Sequence, residues 1–309
     1  MRPLPRPVLP ADIVVFERGW LSANNILLHS EAEPVLIDSG YIAHAPQTLA
    51  LVGSALGTQA LSMLVNTHLH SDHCGGNAAL QAQFPQLHTL IPPGHANAVS
   101  NWDEVTLSYG PTGQRCDRFT FQSTLLPGTT VKLGYYDWQI HAAPGHDPHS
   151  VVLFQPDLKL MISADALWEN GFGVVFPEIE GVAAFQEVSD TLDLIESLQP
   201  EIIIPGHGSV FTDLDQALVR ARERLAYFKS DPARHAKHAA KVLIKFNLMD
   251  QQRFKMGDFM TWITEAAYIP TVFQLYFKNE SFEHWVQGLL QDLQRSGVIR
   301  IENDVLINC

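Results

Sequence analysis

Any fold this chain adopts must gather residues that lie far apart along it. The segment Thr67-His68-Leu69-His70-Ser71-Asp72-His73 holds three histidines and an aspartate, and residues of the same kinds return singly at His146, Asp165 and His207. Five imidazoles and two carboxylates in such settings are hard to explain except as metal ligands, and they are enough for two ions.

The first two-thirds of the chain reads as short β-branched runs separated by turns and helical stretches. Strands are predicted at 12–16, 25–29, 34–37, 64–66, 87–91, 138–141, 151–154, 158–162 and 202–204. Helical spacing marks 183–198, through Phe185, Val188, Leu192 and Ile195. It marks a second helix through Leu214, Leu218, Ala221, Leu225 and Phe228, with Thr212 as its expected cap. Strands interleaved with helices on this scale imply sheets packed against helices. The pattern breaks at Lys229-Ser230-Asp231-Pro232, which places a domain boundary between residues 1–230 and 231–309. The second part reads as mostly helical up to Gly297. A hairpin is expected after it, around Asn303-Asp304, and helices closed by a hairpin look like a winged-helix module.

The spacing of the candidate ligands carries a local argument. His68 and His70 follow the apolar pair Leu64-Val65, so period-two geometry at a strand end points both imidazoles the same way. Asp72 and His73 fall where the chain has to turn, and a tight turn there would aim them at a second ion. Gly75 and Gly76 then allow close backbone approach before a helix starting near Asn77. His146, Asp165 and His207 each end a β-like run, which presents a loop side chain from a rigid base.

The order His-X-His-X-Asp-His, Pro144-Gly145-His146, Asp165 and Pro205-Gly206-His207-Gly208, preceded by Leu36-Ile37-Asp38-Ser39-Gly40, resembles the metallo-β-lactamase-fold hydrolases in number, order and spacing. The resemblance implies an α+β fold, a four-layer αββα sandwich, followed here by the small winged-helix-like domain. It implies that His68, His70 and His146 hold one metal and that Asp72, His73 and His207 hold the other. Asp165 would bridge them, with Asp38 orienting ligands from behind. Aspartate at position 165, where the class B1 β-lactamases carry cysteine, points to the glyoxalase II-like and lactonase-like branch. Trp168 stands where quorum-quenching lactonases place a tyrosine, and Asp147 follows His146 where relatives have Gly-His.

Two cations roughly 3.5 to 4 Å apart share one water, bring its pKa toward neutrality and clamp attacking and leaving atoms. The expected activity is therefore a dinuclear metal-dependent hydrolase of an ester-like bond, thioester or lactone, in a small, partly apolar molecule. A metal-bridging hydroxide is the nucleophile, and Asp72 is the catalytic candidate that orients it and shuttles a proton. Donors of nitrogen and oxygen without thiolate put zinc first, ahead of iron or manganese. The competing readings are an iron-dependent persulfide dioxygenase, a metal-dependent nuclease and a non-enzymatic receptor. Of the other histidines His149 lies nearest the site. The aromatics between Trp168 and Phe176 are candidates for an apolar pocket wall, and Arg115 and Arg118 for contacts to an anionic substrate.

Charge bounds the partners. The net charge is -13, yet residues 235–309 carry eight basic and eight acidic side chains, so the whole excess lies before them. A field of that sign repels a phosphate backbone, which makes nucleic acid a poor partner and leaves packing, pocket covering or homodimer formation for the C-terminal part. Three cysteines, Cys74, Cys116 and Cys309, make no disulfide framework, and the Cys74 thiol beside His73 reads as a small buried hydrophobe. Prolines interrupt the start, Met1 to Pro7, where a secretory leader needs a continuous apolar run, and no run spans a bilayer. The expected location is the cytoplasm, away from membranes.

Overall fold

Alternation along the strands decides the layering. The computed structural model describes residues 7–309, and the proline-broken start through Arg6 lies outside them. One sheet runs β1 (Ile13–Phe16), β2 (Asn25–Leu28), β3 (Val35–Ile37), β4 (Met63–Val65), β5 (His88–Ile91) and β6 (Ser123–Thr124) in sequence order. Its first two pairings are antiparallel and the rest parallel. The second sheet contains β7 (Thr130–Leu133), β8 (Tyr136–Ala142), β9 (Val151–Gln155), β10 (Leu160–Ala164) and β11 (Ile202–Pro205), with order β11-β10-β9-β8-β7. Ile26, Leu28 and Ile37 of the first sheet face Ile140, Leu153 and Ile162 of the second in one buried core. Their neighbours point the other way. Leu27, Leu36 and Leu64 pack under the helix Ala45–Leu56, and Val152, Phe154 and Met161 pack under the helices Phe185–Leu198 and Leu214–Ser230. Period two thus gives each strand two apolar faces, and the result is the four-layer αββα sandwich.

The predicted strands form within a residue or two of their expected bounds. Three short ones went unread: β6, β7 and the later Arg253–Lys255. None of the three has an apolar run; β6 is two residues long, and Arg253–Lys255 is charged at both ends. The helix after Thr212 is capped instead by Asp213, whose carboxylate accepts the Gln216 N–H at 3.1 Å. Aspartate holds its acceptor one residue closer to the helix start, the position an N-cap requires.

At Asp231 the backbone turns extended, and the Asp231 side chain caps the next helix, Pro232–Gln251, with proline at its first position. After β12 (Arg253–Lys255) come the helices Met256–Glu265, Tyr268–Tyr276 and Phe282–Arg295, then β13 (Ile299–Glu302) and β14 (Val305–Asn308). The three strands order as β12-β14-β13. Asn303 and Asp304 both take positive φ, as a two-residue hairpin turn of this hand demands. Among the described residues no helix is long and apolar enough to cross a membrane.

This C-terminal part docks on the sandwich through shared core as well as polar ties. Val174, from the loop after β10, and Ile179, at the end of the short helix Phe176–Ile179, are buried among Ala239, Leu243 and Ile269. Arg115, which the sequence offered as a substrate contact, grips Asp250 at 2.8 Å, and Arg118 donates to the Ser100 carbonyl. Tyr41 hydroxyl donates to the same Asp250, and burial together with that carboxylate pushes the phenol up to about 12. His235 is 1% exposed, and its Nε2 accepts the Val175 N–H at 3.0 Å.

Burial, with lesser repulsion from His238 and Arg224, depresses His235 to about 3 from an ordinary 6.5. The folded protein refuses a proton that the unfolded chain accepts, so stability present above pH 6.5 is lost as pH falls toward 3. His235→Gln keeps an acceptor for Val175 and removes the titration. Between pH 7 and pH 5 the wild type should lose roughly 2 kcal/mol more than this variant, read from urea midpoints. Parallel losses in both proteins would show that His235 is not held neutral.

Candidate metal centre

The rim where the two sheets end gathers all seven expected ligands. His68, His70 and His146 form one group, and Asp72, His73, Asp165 and His207 form another, each with donor atoms within 4.8 Å of one another. The first sheet supplies residues 68–73 just beyond β4, while the second supplies His146 after β8, Asp165 after β10 and His207 after β11. Asp72 and His73 do not sit in a tight turn. They lie in a single helical turn, Ser71–Cys74, and both side chains join the second group while His68 and His70 join the first.

Rings are fixed from behind. His73 Nδ1 bonds Asp38 Oδ2 at 2.7 Å, and the same carboxylate accepts the Thr67 N–H and hydroxyl at 2.9 and 2.8 Å. That leaves His73 Nε2 facing Asp165 Oδ1 at 3.4 Å and Asp72 Oδ2 at 4.0 Å. His146 Nδ1 donates to the Val174 carbonyl, so its Nε2 turns to His70 Nδ1 at 2.8 Å and to Asp165 Oδ2 at 3.4 Å. Asp38 and Ala164 hold left-handed backbone, φ 55° and 47°, costing about 1–3 kcal/mol each. The first aims the carboxylate at His73, and the second swings Asp165 out of β10.

Two glycines are required by proximity. A side chain at Gly206 would strike Asp165 Oδ1 and His73, and one at Gly173 would enter the His146 ring. Asn24 fastens the β11 loop, donating to the Pro205 and Gly208 carbonyls at 3.0 and 2.7 Å. Asp165 takes a bond from Trp168 Nε1 at 3.1 Å, and Trp20 stacks on His207 with centroids 5.3 Å apart.

Electrostatics fit a cation. Burial, then the neighbouring imidazoles, holds His68 well below its ordinary range and His70 down to about 3, so these two imidazoles present neutral nitrogens. Burial would raise Asp165, but His73 and His207 outweigh it and keep the acid well below the usual carboxylate range. His73 is pulled down by burial and then pushed well above its ordinary value by Asp165, Asp38 and Asp72. His68 Nε2 and His73 Nε2 are buried without a hydrogen-bond partner. Buried nitrogens left unbonded beside ionised acids are costly unless a cation completes them. The donor set therefore fits divalent metal, with Asp165 facing both groups.

Other sequence candidates fall into place around this cluster. Cys74 is buried and turned to the Leu69 carbonyl and the Tyr109 hydroxyl, away from the ligands. A cavity of about 250 Å³ opens at the centre, with Trp168, Phe172, Val174 and Phe176 in its wall. It also takes residues that sequence spacing did not flag: Trp20 from the loop after β1, and Val242, Leu243 and Phe246 from the long helix Pro232–Gln251. His149 is instead in a neighbouring, more polar cleft with His95, Asp147, Glu180 and Tyr268.

The family model for the metallo-beta-lactamase superfamily matches residues 18–207. A hydroxyacylglutathione hydrolase from Brucella anthropi is 25% identical over 283 residues, covering 85% of this chain and 88% of its own. An atrochrysone carboxyl ACP thioesterase from Aspergillus fumigatus is 24% identical over 250 residues, 81% of this chain and 68% of its own. Among solved structures, a metallo-beta-lactamase family protein from Thermus thermophilus superposes with a TM-score of 0.59 at 15% identity, covering 98% of this chain and 100% of that one, a likeness of fold.

Replacing Asp38 by asparagine should leave His73 in place but weaken its hold on Nδ1–H. A loss of about 10- to 100-fold in metal affinity is expected, measured by competition against a chromogenic chelator. Unchanged affinity would remove Asp38 from the support of the site.

Proposed function

Because this chain belongs to the metallo-β-lactamase superfamily, we propose that it is a dinuclear metal-dependent hydrolase that cleaves a thioester in a small, partly apolar molecule. The observation that carries the reading is the convergence of two donor groups on one carboxylate, Asp165, at the floor of a cavity large enough for a small ligand. His68, His70 and His146 would hold one ion and Asp72, His73 and His207 the other, with Asp165 between them. Zinc fits a donor set of imidazole and carboxylate without thiolate. When bound, the two ions would acidify a shared water and polarise the scissile carbonyl.

The chain's own groups do the rest. Asp72 is the most solvent-accessible of the carboxylates at the site, with its side chain 14% exposed against 6% for Asp165 and 2% for Asp38. Its Oδ2 is engaged by His207 Nε2 at 3.0 Å, and the residue lines the cavity, so its remaining oxygen would be the acceptor that orients water and takes up a proton. Trp20 and Trp168 pack on His207, and Phe176 lies against His70 and His146, so aromatic rings border the donors on both sides. A thiolate leaves without a strong acid, so the ionised carboxylates gathered here suit a thioester. Support for thioester over lactone comes from the thioesterase among the relatives and from Trp168, whose indole bonds Asp165 where a phenol would otherwise reach substrate.

The zinc-loaded protein should hydrolyse acyl thioesters, followed by release of free thiol, with two ions per chain by elemental analysis. Asp72→Asn, assayed at zinc concentrations at which elemental analysis still finds both ions, should lower kcat by about 10²-fold or more. Full activity in that variant, or no cleavage of any thioester by the loaded wild type, would sink the assignment.

A further inference from the structure

The cavity over the candidate metal centre has two kinds of neighbourhood. On one side its wall is built from Trp20, Phe172, Val174, Val242, Leu243 and Phe246. Beyond the acids of the metal group, the one full charge in that wall among the described residues is Arg224. Its guanidinium already lies over Phe172 and Phe228, 5.5 and 5.4 Å from the ring centroids, and donates to His238 Nε2 at 2.9 Å. On the other side is the polar cleft of His95, Asp147, His149, Glu180 and Tyr268, which shares His70, Ser108 and Phe176 with the cavity. The two spaces meet beside His70, a donor of the first group, so a molecule cut there would have one half in each.

We propose that the apolar space is the acyl subsite and that the long helix Pro232–Gln251 is its specificity wall, so that the substrates are thioesters of apolar carboxylic acids. This deepens the thioester-hydrolase reading and rests on it for the bond that is broken. Val242, Leu243 and Phe246 occupy one face of the helix by their spacing of one, three and four residues. Leu243 and Phe246 are held rigid, the first in the C-terminal core and the second edge-on to Tyr41 at 5.1 Å. The helix supplies a rigid apolar face that cannot bond to hydroxyls or amides, and the Thr112 hydroxyl and Gln114 Oε1, also in the lining, are already engaged by the Ser108 carbonyl and the Ser71 hydroxyl, so aliphatic or aryl acyl groups are favoured against that face. The polar cleft takes the thiol half.

Equilibrium binding of product acids to the zinc-loaded protein tests the subsite independently of turnover, read by quenching of Trp20 and Trp168. From acetate through butyrate to octanoate the affinity should rise, by up to about fourfold per methylene. Val242 is half-buried, so Val242→Phe should fold normally, fill the space and cut off the rise for the longer acids. Phe246→Leu enlarges the space and should extend the rise to longer acids. A flat series in the wild type, an unchanged slope in both variants, or tighter binding of dicarboxylates through Arg224 would each overturn the subsite. Absence of thioester cleavage alongside a rising, Val242-sensitive series would instead strike the hydrolase reading and leave the acyl-binding wall standing.

Discussion

One buried chain of contacts holds the two halves of the sandwich in catalytic register. Asp38, at the end of β3, fixes His73 through Nδ1, and His73 Nε2 faces Asp165, at the end of β10 in the opposite sheet. The packing of Ile26 and Ile37 against Leu153 and Ile162 sets how far apart those strand ends lie. Interior packing is dense and poorly compressible, so the separation of the donors is inherited from the core rather than chosen locally. The strained backbone at Asp38 and Ala164 survives because both sheets over-determine it.

Much of this was legible before any coordinates. The donors announce themselves as chemically improbable residues after apolar runs, and nine strands appear where β-branched runs were read. What stayed hidden has a common physical character. Strands such as Arg253–Lys255 are made by their partner across the ladder and have no apolar signature of their own. Asp213 displaced Thr212 as cap because the choice depends on backbone angles, which composition does not encode.

The cavity wall was half visible. The aromatics after Asp165 were readable because they adjoin a ligand in sequence, whereas Trp20 and Phe246 reach the site only through tertiary structure. No periodicity separates Phe246 from an ordinary core residue, since it is buried against Tyr41 as well as facing the cavity. Arg115 shows the converse. A basic residue in a polar loop looked free to meet substrate, and the fold spends it on Asp250 to anchor the helix Pro232–Gln251.

The break at Asp231 has a consequence for how such a protein diversifies. Every proposed ion-holding residue precedes it, and four of the side chains that line the space above them follow it. The bond-breaking apparatus is thus written wholly in the first stretch of the polypeptide while the wall draws on both, so drift in the second can reshape part of the space and leave that apparatus untouched.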